Sequence, residues 1–162
     1  MKKNMRRKAV DGLETGDTFT VSRTFSEQDV VRFADISLDY NPIHFDKRFT
    51  NVKRFDGVIC HGLLVASMVT EIGGQIGWLA SGMTFHFKKP VYIGDTIQCN
   101  LTITDIDEKG RAEAKAVLKN EDDTVVLECK LTGIVPGAEE KLVMQDMLAE
   151  GDPTNKVTRC KP

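Results

Sequence analysis

The chain has 162 residues, of which 41% are hydrophobic and 28% are charged, values typical of one globular domain with a sizeable core. The formal net charge of −2 disfavours a nucleic-acid-binding protein or one that depends on an anionic membrane surface. The four cysteines are widely spaced without a C-x-x-C pair, which disfavours a structural zinc site and favours reduced thiols in a cytoplasmic protein.

The chain begins with a predicted tail, a strand and a helix. Residues 1–10 are basic but lack the apolar core of a signal peptide, so we expect a disordered, solvated tail. Residues 18–25 are rich in β-branched and aromatic side chains and predict a strand. Ser26 then precedes two acidic residues, as an N-cap does, and the apolar stripe that follows predicts a helix from about Glu27 to Ser37.

The predicted helix leads into a turn that contains two groups suited to proton transfer. Asp39 and His44 lie five residues apart, with Asn41 and Pro42 between them. Pro42 fixes its own φ and pushes Asn41 towards an extended conformation, so this turn could bring both side chains to one site. A carboxylate and an imidazole can exchange a proton with water. The same residues also fit a plain turn in which Asp39 caps the backbone and His44 lies on the surface.

The longest apolar segment, residues 58–78, has apolar or small residues almost all round a helix, which predicts a buried helix. Glu71, Gln75 and the glycines of this segment disfavour a membrane span. A glycine in a helix interior costs about 1 kcal/mol relative to alanine. Either close packing offsets this cost or the helix ends near Gly73.

After Gly82 the hydrophobic period changes from that of a helix to that of a strand. Turn residues separate four alternating segments, which predict consecutive antiparallel strands. Cys99 and Cys129 fall on apolar positions of these strands, so we expect both to be buried. The predicted strands cover about residues 83–87, 97–103, 112–118 and 125–131.

The order of the predicted elements indicates an α+β fold in which a curved antiparallel sheet wraps around a long central helix. We expect this domain to span residues 11–136. Beyond it, residues 138–149 predict an amphipathic helix, and the polar residues that follow predict a frayed tail. The pattern assigns no role to the segment 137–162.

Three motifs follow one another along the chain, at Ser37–His44, Cys60–Ser67 and Phe85–Thr96. They resemble, in this order, motifs of the MaoC-like, (R)-specific enoyl-CoA hydratases. The first resembles the hydratase motif S-x-D-x-N-P-[aliphatic]-H, the second the H-G-[LM] opening of the central helix, and the third an F-x-x-P-V-x-x-G-D strand and turn. The resemblance covers roughly residues 12–135. Leu38 departs from the family, which often has glycine or an acidic residue there.

The resemblance implies a hot-dog fold and an oligomer built from dimers whose strands pair edge to edge. It also implies reversible hydration of trans-2-enoyl thioesters to (R)-3-hydroxyacyl thioesters, carried by coenzyme A or by an acyl carrier protein. This reaction needs no cofactor and no metal. We therefore expect an acyl thioester as the partner, and neither nucleic acid nor a membrane.

The resemblance places Asp39 and His44 at the catalytic site. We expect Asp39 to be the main base and His44 to orient the water and share its proton. The backbone N–H of Gly62, at the start of the central helix, suits the negative charge that develops on the thioester oxygen. As supporting residues we expect Asn41 to hold the turn and Thr70 to place a hydroxyl near the acid–base pair.

Other charged and titratable residues near these motifs have plainer interpretations. We expect a structural role for His61, through a hydrogen bond behind the site, although Asp39, His44 and His61 could be imagined as metal ligands. Lys88 and Lys89 fit a solvated strand end better than a contact with coenzyme A phosphates.

Two other functions are compatible with a hot-dog domain. In a thioesterase, a carboxylate would activate water against the thioester carbonyl. A non-catalytic acyl-thioester binder or a structural subunit would need neither group of the pair. The intact Asp39 and His44 favour the hydratase over both.

Overall fold

The computed structural model describes residues 4–156 of the chain. This part forms six α-helices, five β-strands and a short 3-10 helix at Pro42–His44. The helices are α1 (Met5–Asp11), α2 (Glu27–Ser37), α3 (Lys47–Val52), α4 (Gly62–Ala66), α5 (Met68–Ile76) and α6 (Ala138–Ala149). The strands are β1 (Thr18–Thr24), β2 (Leu79–Phe87), β3 (Thr96–Ile106), β4 (Arg111–Lys119) and β5 (Val125–Ile134).

The five strands form one curved antiparallel sheet in the order β1-β3-β4-β5-β2. Alternate residues of β3, β4 and β5 are buried, as the period of two predicts. Cys99 and Cys129 are both buried, which confirms that expectation. The edge strand β2 differs, because Met83 and Phe87 remain exposed although their spacing predicts an inward face.

The predicted buried helix is present but shorter, and it is interrupted. The central helix consists of α4 and α5, which meet at Ser67. Residues 58–61 do not belong to it, because the Cys60 N–H donates to the Val91 carbonyl at 2.8 Å. The helix passes Gly73 and ends at Gly77, whose φ of 70° lies in the left-handed region. In the described part of the chain, no helix is both long and apolar enough to cross a membrane.

The core lies between the sheet and the central helix. Met68, Ile72 and Ile76 of α5 are fully buried, and they belong to the same cluster as the inward side chains of the strands. Burial of this apolar surface is the main favourable contribution to folding. The architecture is the α+β hot-dog fold that the sequence predicts.

The N-terminal residues form α1 where a disordered tail was predicted for residues 1–10, and that prediction is wrong from Met5 onwards. The Arg6 side chain is buried, and its guanidinium donates to the carbonyls of Gly74 and Gln75 at 2.9 and 2.8 Å. These carbonyls lie in the last turn of α5, where backbone acceptors lack helical partners. Because these carbonyls lie far from Arg6 in the sequence, no pattern near residue 6 predicts that this segment is ordered.

The C-terminal helix α6 is confirmed and packs against α1, but its predicted amphipathic character is wrong, because Leu142 and Val143 are exposed and Met144 is the one buried residue of the helix. Asp152, in the segment after α6, is also held in place, because its Oδ2 lies 2.8 Å from Arg6 Nη1. The predicted frayed tail is therefore wrong at its start, and its residues 157–162 lie outside the described residues. The predicted domain boundary at residue 136 falls between β5 and α6.

Candidate active site

A cavity of about 680 Å³ opens beside the start of α4. Asp39, His44 and Gly62 all line it, so the structure brings the three predicted catalytic groups to one space. The rest of the lining is mainly apolar, with two lysines. It comes from α2, the start of the central helix, β5, the end of β2 with residues 88–91 that follow it, and the segment between α3 and α4. Its other residues include Phe33, Phe55, Leu63, Val65, Phe87, Lys88, Lys89, Pro90, Val126 and Leu127.

The end of α2 positions Asp39. Leu38 adopts a left-handed conformation with φ of 58°, and its N–H donates to the Ala34 carbonyl at 2.8 Å. This conformation costs a residue with a Cβ about 1 kcal/mol, so the glycine common in the family at this position has a physical basis. Asp39 Oδ1 then accepts the backbone N–H of Asn41 at 3.1 Å, which leaves Oδ2 free to face the cavity side of the turn.

The 3-10 helix after Asp39 positions His44. Asn41 Oδ1 accepts the N–H of Ile43 at 3.1 Å, and Pro42 supplies the first residue of the helix. The expected role of Asn41 in holding the turn agrees with this contact. The turn returns the chain so that His44 Nε2 lies 3.8 Å from Asp39 Oδ2. In the plain-turn alternative, a surface position for His44 is wrong because this imidazole is buried, whereas Asp39 does cap the backbone.

The tautomer of His44 follows from its second contact. Nδ1 lies 2.7 Å from the Ile59 carbonyl, and a carbonyl oxygen only accepts, so Nδ1 carries the proton. The neutral ring therefore presents an unprotonated Nε2 towards Asp39. Burial lowers the pKa of His44 below its ordinary 6.5 and outweighs the Ile59 carbonyl and the Asp39 charge, which both raise it.

The pair is arranged as two acceptors around a common point. The 3.8 Å between Oδ2 and Nε2 exceeds the length of a direct hydrogen bond. It is close enough for one water molecule to donate its two hydrogens to these two atoms. A water held in this way has its oxygen lone pairs turned away from both groups, as a nucleophile requires.

Gly62 is the first residue of α4, so its N–H has no acceptor within the helix. A Cβ built on Gly62 would lie 2.6 Å from Cε1 of Phe87, whose ring covers this residue. The absence of a side chain therefore lets the edge strand approach the helix start. Gly62 lines the cavity and is only partly buried, so its N–H is a candidate donor to a substrate oxygen there.

Thr70 does not join the other predicted residues. It is exposed, it does not line the cavity, and its hydroxyl donates to the Ser67 carbonyl at 2.7 Å. Eight residues separate it from Gly62, which corresponds to about 12 Å along a helix. A threonine in a helix commonly bonds its own backbone in this way, so the structure gives no support to the expected role.

Asp39, His44 and His61 each offer one ligand atom, and these atoms lie within 4.8 Å of one another. The two imidazole rings are stacked, with centroids 3.8 Å apart and an angle of 30° between planes. Ring nitrogens bind metals through lone pairs in the ring plane at about 2.0–2.1 Å. Nearly parallel planes cannot direct both lone pairs at one ion, so this donor set fits a tetrahedral metal poorly.

Several contributors to the site have no signal in the sequence. The Ile59 carbonyl, which sets the tautomer of His44, belongs to a residue whose side chain predicts nothing. Phe87 is predicted as a strand residue, yet its ring covers Gly62. Phe33 and Phe55 line the cavity from α2 and from the segment after α3. Only the fold brings these groups together.

The sequence is similar to that of known proteins. The family model described as "MaoC like domain" matches residues 11–141. A mitochondrial 3-hydroxyacyl-[acyl-carrier-protein] dehydratase of Arabidopsis thaliana is 33% identical, over 76% of this chain and 78% of its own length. An (R)-specific enoyl-CoA hydratase of Aeromonas caviae is also 33% identical, over 62% of this chain and 78% of its own.

Solved structures show the same architecture. The structure of the (R)-hydratase from A. caviae involved in PHA biosynthesis matches with a TM-score of 0.73 and 28% identity, covering 77% of this chain and 98% of that one.

A third relative in sequence, a 3-hydroxybutyryl-CoA dehydratase of Methylorubrum extorquens, is 31% identical over 80% of this chain and 85% of its own length. The match to the family model spans most of the chain and includes every residue of the predicted site. The chain belongs to the MaoC-like domain family.

Proposed function

We propose that this protein is a hydro-lyase that adds water reversibly to trans-2-enoyl thioesters and yields (R)-3-hydroxyacyl thioesters. The observation that carries this proposal is the arrangement of Asp39 Oδ2 and His44 Nε2, 3.8 Å apart, on the cavity that also contains Gly62. The dehydratases and hydratases named above, at 31–33% identity, support the same reaction class.

The reaction adds one water across the C2–C3 double bond. The water oxygen attacks C3 while one of its protons passes to the pair formed by Asp39 and His44. The negative charge that appears on the thioester oxygen is stabilised by the N–H of Gly62. The pair then delivers a proton to C2, which restores its starting state. We assign the proton chiefly to Asp39, with His44 orienting the water and sharing the proton.

The apolar part of the cavity suits the acyl chain, with Leu63, Val126 and Leu127 in its lining. Lys88 and Lys89 lie on the same cavity, and Lys88 pairs with Glu128 at 3.2 Å. Both coenzyme A and an acyl carrier protein present the acyl group on a phosphopantetheine arm. We propose an acyl thioester on either carrier as the substrate.

The test uses crotonyl-CoA as substrate and two simultaneous readouts. Absorbance of the conjugated thioester reports hydration, and a thiol reagent reports free coenzyme A. We expect conjugation to be lost without release of thiol. Release of thiol would instead identify a thioesterase, and binding without either change would identify a non-catalytic acyl-thioester binder.

We also propose that the protein is a homodimer, or a larger oligomer built from dimers. The edge strand β2 leaves Leu79, Met83 and Phe87 exposed, and an unpaired edge with apolar side chains favours pairing with another strand. Light scattering coupled to size exclusion should give twice the mass of one chain or a multiple of that. A monomer at micromolar concentration would contradict the proposal.

For localisation we propose a reducing compartment, the cytoplasm. Cys60, Cys99 and Cys129 are free and buried, and burial raises the pKa of the Cys60 and Cys99 thiols to about 12. Such thiols are stable as buried small side chains when no oxidising machinery acts on them. Fractionation of cells that express the full chain tests this assignment.

A further inference from the structure

We infer that His61 is a positioning residue that holds the base, the imidazole and the oxyanion donor of the site in one arrangement. The inference rests on the proposed function and adds a residue to its machinery. His61 precedes Gly62, is 1% exposed and borders the same cavity, with its ring stacked on that of His44. Two contacts of the His61 side chain and the peptide bond that joins His61 to Gly62 support the role.

The first contact holds Asp39. His61 Nε2 lies 2.9 Å from the backbone carbonyl of Asp39, and because a carbonyl only accepts, Nε2 carries the proton. Asp39 follows the end of α2, and about half of its carboxylate is exposed, so few contacts of its own restrain it. The bond from His61 holds the backbone on which the carboxylate is carried.

The second contact holds His44. The two imidazole rings stack with centroids 3.8 Å apart. The Phe33 ring lies 4.9 Å from the His61 centroid and the Phe45 ring 6.2 Å from it. The His61 ring is thereby restrained by aromatic neighbours while it supports the ring of His44. A ring placed in this way has little freedom to rotate, and neither has its neighbour.

The third connection is covalent. The N–H that we assign to the thioester oxygen belongs to the peptide bond between His61 and Gly62. A shift of His61 would therefore move the oxyanion donor relative to Asp39 and His44 together. A displacement of about 1 Å in such a constellation can cost on the order of 10²-fold in rate.

One further observation argues that His61 is more than a core side chain. With its proton on Nε2, its Nδ1 is an acceptor that is buried and has no hydrogen-bond partner among residues 4–156. An unpaired buried polar atom carries a free-energy cost that an apolar residue would avoid. A side chain retained for volume alone would not need the donor at Nε2.

Stacking also affects the charge of the pair. The titratable groups in contact with the His44 ring are Asp39 and His61, and Lys88 and Lys89 lie on the same cavity. A charge on His61 lowers the pKa of His44, in addition to the larger effect of burial. Burial, rather than a charge on His61, is therefore the main reason why Nε2 of His44 is unprotonated and ready to accept from water.

Two variants separate the contribution of the His61 hydrogen bond to Asp39 from that of the His61 ring stacked on His44. His61→Phe keeps a ring on His44 but removes the donor to Asp39, whereas His61→Gln keeps a donor and removes the ring. With crotonyl-CoA we expect kcat of His61→Phe to fall on the order of 10²-fold while KM changes less than about threefold. We expect His61→Gln to lose less than about tenfold, because the amide can still hold the Asp39 carbonyl.

A second measurement does not depend on turnover. The chain has three histidines, so the imidazole ¹⁵N spectrum has few signals, and exposed His86 on β2 provides an internal reference. In the wild-type protein we expect the His61 tautomer with its proton on Nε2 and the His44 tautomer with its proton on Nδ1.

The outcomes are distinct. A folded His61→Phe variant with kcat within about threefold of wild type would overturn the inference. So would a wild-type spectrum with the His61 proton on Nδ1, even if no variant folds. Failure of the wild-type protein to hydrate crotonyl-CoA or a longer enoyl-CoA would instead refute the proposed function, and the tautomers would still test the contacts of His61.

Discussion

The two side chains to which we assign the chemistry lie five residues apart, and each is held by a backbone group that the residue type alone does not predict. Asp39 is held through the Asn41 N–H, and His44 through the Ile59 carbonyl. The carboxylate stays accessible while the imidazole is buried, so the two groups have different environments although they are neighbours. Such a difference in environment allows one pair to accept a proton and then return it.

The first prediction concerns this pair. Asp39→Asn and His44→Gln should each lower kcat at least about 10²-fold, because each removes one acceptor for the attacking water. The exposed His86→Gln on β2 is the matched control and should keep wild-type turnover. Near-normal turnover in either site variant, with the melting temperature unchanged, would refute the roles assigned to these residues.

The second prediction concerns the pH dependence of activity. Burial lowers the pKa of His44 below 6.5, so neutral imidazole persists at a pH where an exposed histidine is half protonated. The acid limb of kcat/KM should therefore lie below pH 6.5, measured with crotonyl-CoA in buffers of constant ionic strength. A limb above this value would contradict the assigned environment of His44.

The same shift in pKa predicts how stability depends on pH. The unfolded state binds a proton at His44 more readily than the folded state does, so this contribution is fully present above the unfolded pKa of about 6.5. It is lost as the pH falls through the lower folded pKa. Urea unfolding between pH 8 and 5 should show this loss for the wild type and a smaller loss for His44→Gln.

At the scale of elements, the central helix contains glycines that serve different purposes. At Gly62 and Gly77 a side chain would collide with Phe87 or with Pro136, and Gly77 also has a φ of 70°. At Gly74 a Cβ would have no neighbour within 4 Å. The cost of a glycine in a helix is therefore offset by close approach at the ends of the helix, but not at Gly74.

The third prediction follows from this difference. Gly74→Ala should raise the free energy of unfolding by about 1 kcal/mol, because alanine loses less backbone entropy in a helix. Gly77→Ala should lower it, because the left-handed backbone and Pro136, 2.8 Å from the added Cβ, both oppose a side chain. Urea denaturation of both variants measures the effect. A destabilised Gly74→Ala would show that this position is restrained in a way its open surroundings do not suggest.

At the scale of the whole molecule, α1 and the segment after α6 meet at the C-terminal end of the central helix. Arg6 from α1 binds the Gly74 and Gln75 carbonyls in the last turn of α5 and the carboxylate of Asp152 after α6. A cation at a helix C-terminus is favourable, and it satisfies carbonyls that the helix leaves unpaired. The segments at α1 and after α6 thus contribute contacts to the domain at the C-terminal end of the central helix, the end that lies away from the candidate active site.

A further prediction tests how much these contacts of Arg6 contribute to stability. Arg6→Ala should lower the melting temperature by at least about 5 °C, because it leaves buried acceptors without a donor. Arg7→Ala is the matched control, since Arg7 forms an exposed pair with Asp11, and should shift it by less than about 1 °C. A similar small shift for both variants would show that α1 adds little to the stability of the fold.

The sequence by itself determined the elements whose signal is local. The period of hydrophobic residues and the cap at Ser26 predict α2 with its observed bounds, and the alternation in β3 to β5 predicts the buried face. The spacing of Asp39 and His44 around Pro42 predicts a shaped turn. Caps, turns and periodicity depend on neighbouring residues, so the residues themselves reveal them.

Tertiary structure decided everything that depends on partners far apart in the chain. The Val91 carbonyl pairs with Cys60 and delays the helix start to Gly62, and the end of α5 orders Arg6 in what reads as a solvated tail. The tautomer of His44 was settled in the same way, whereas the hydroxyl of Thr70 bonds locally, to the carbonyl of Ser67. Long-range hydrogen bonds and packing can override local preference because their partners are brought together only when the chain folds.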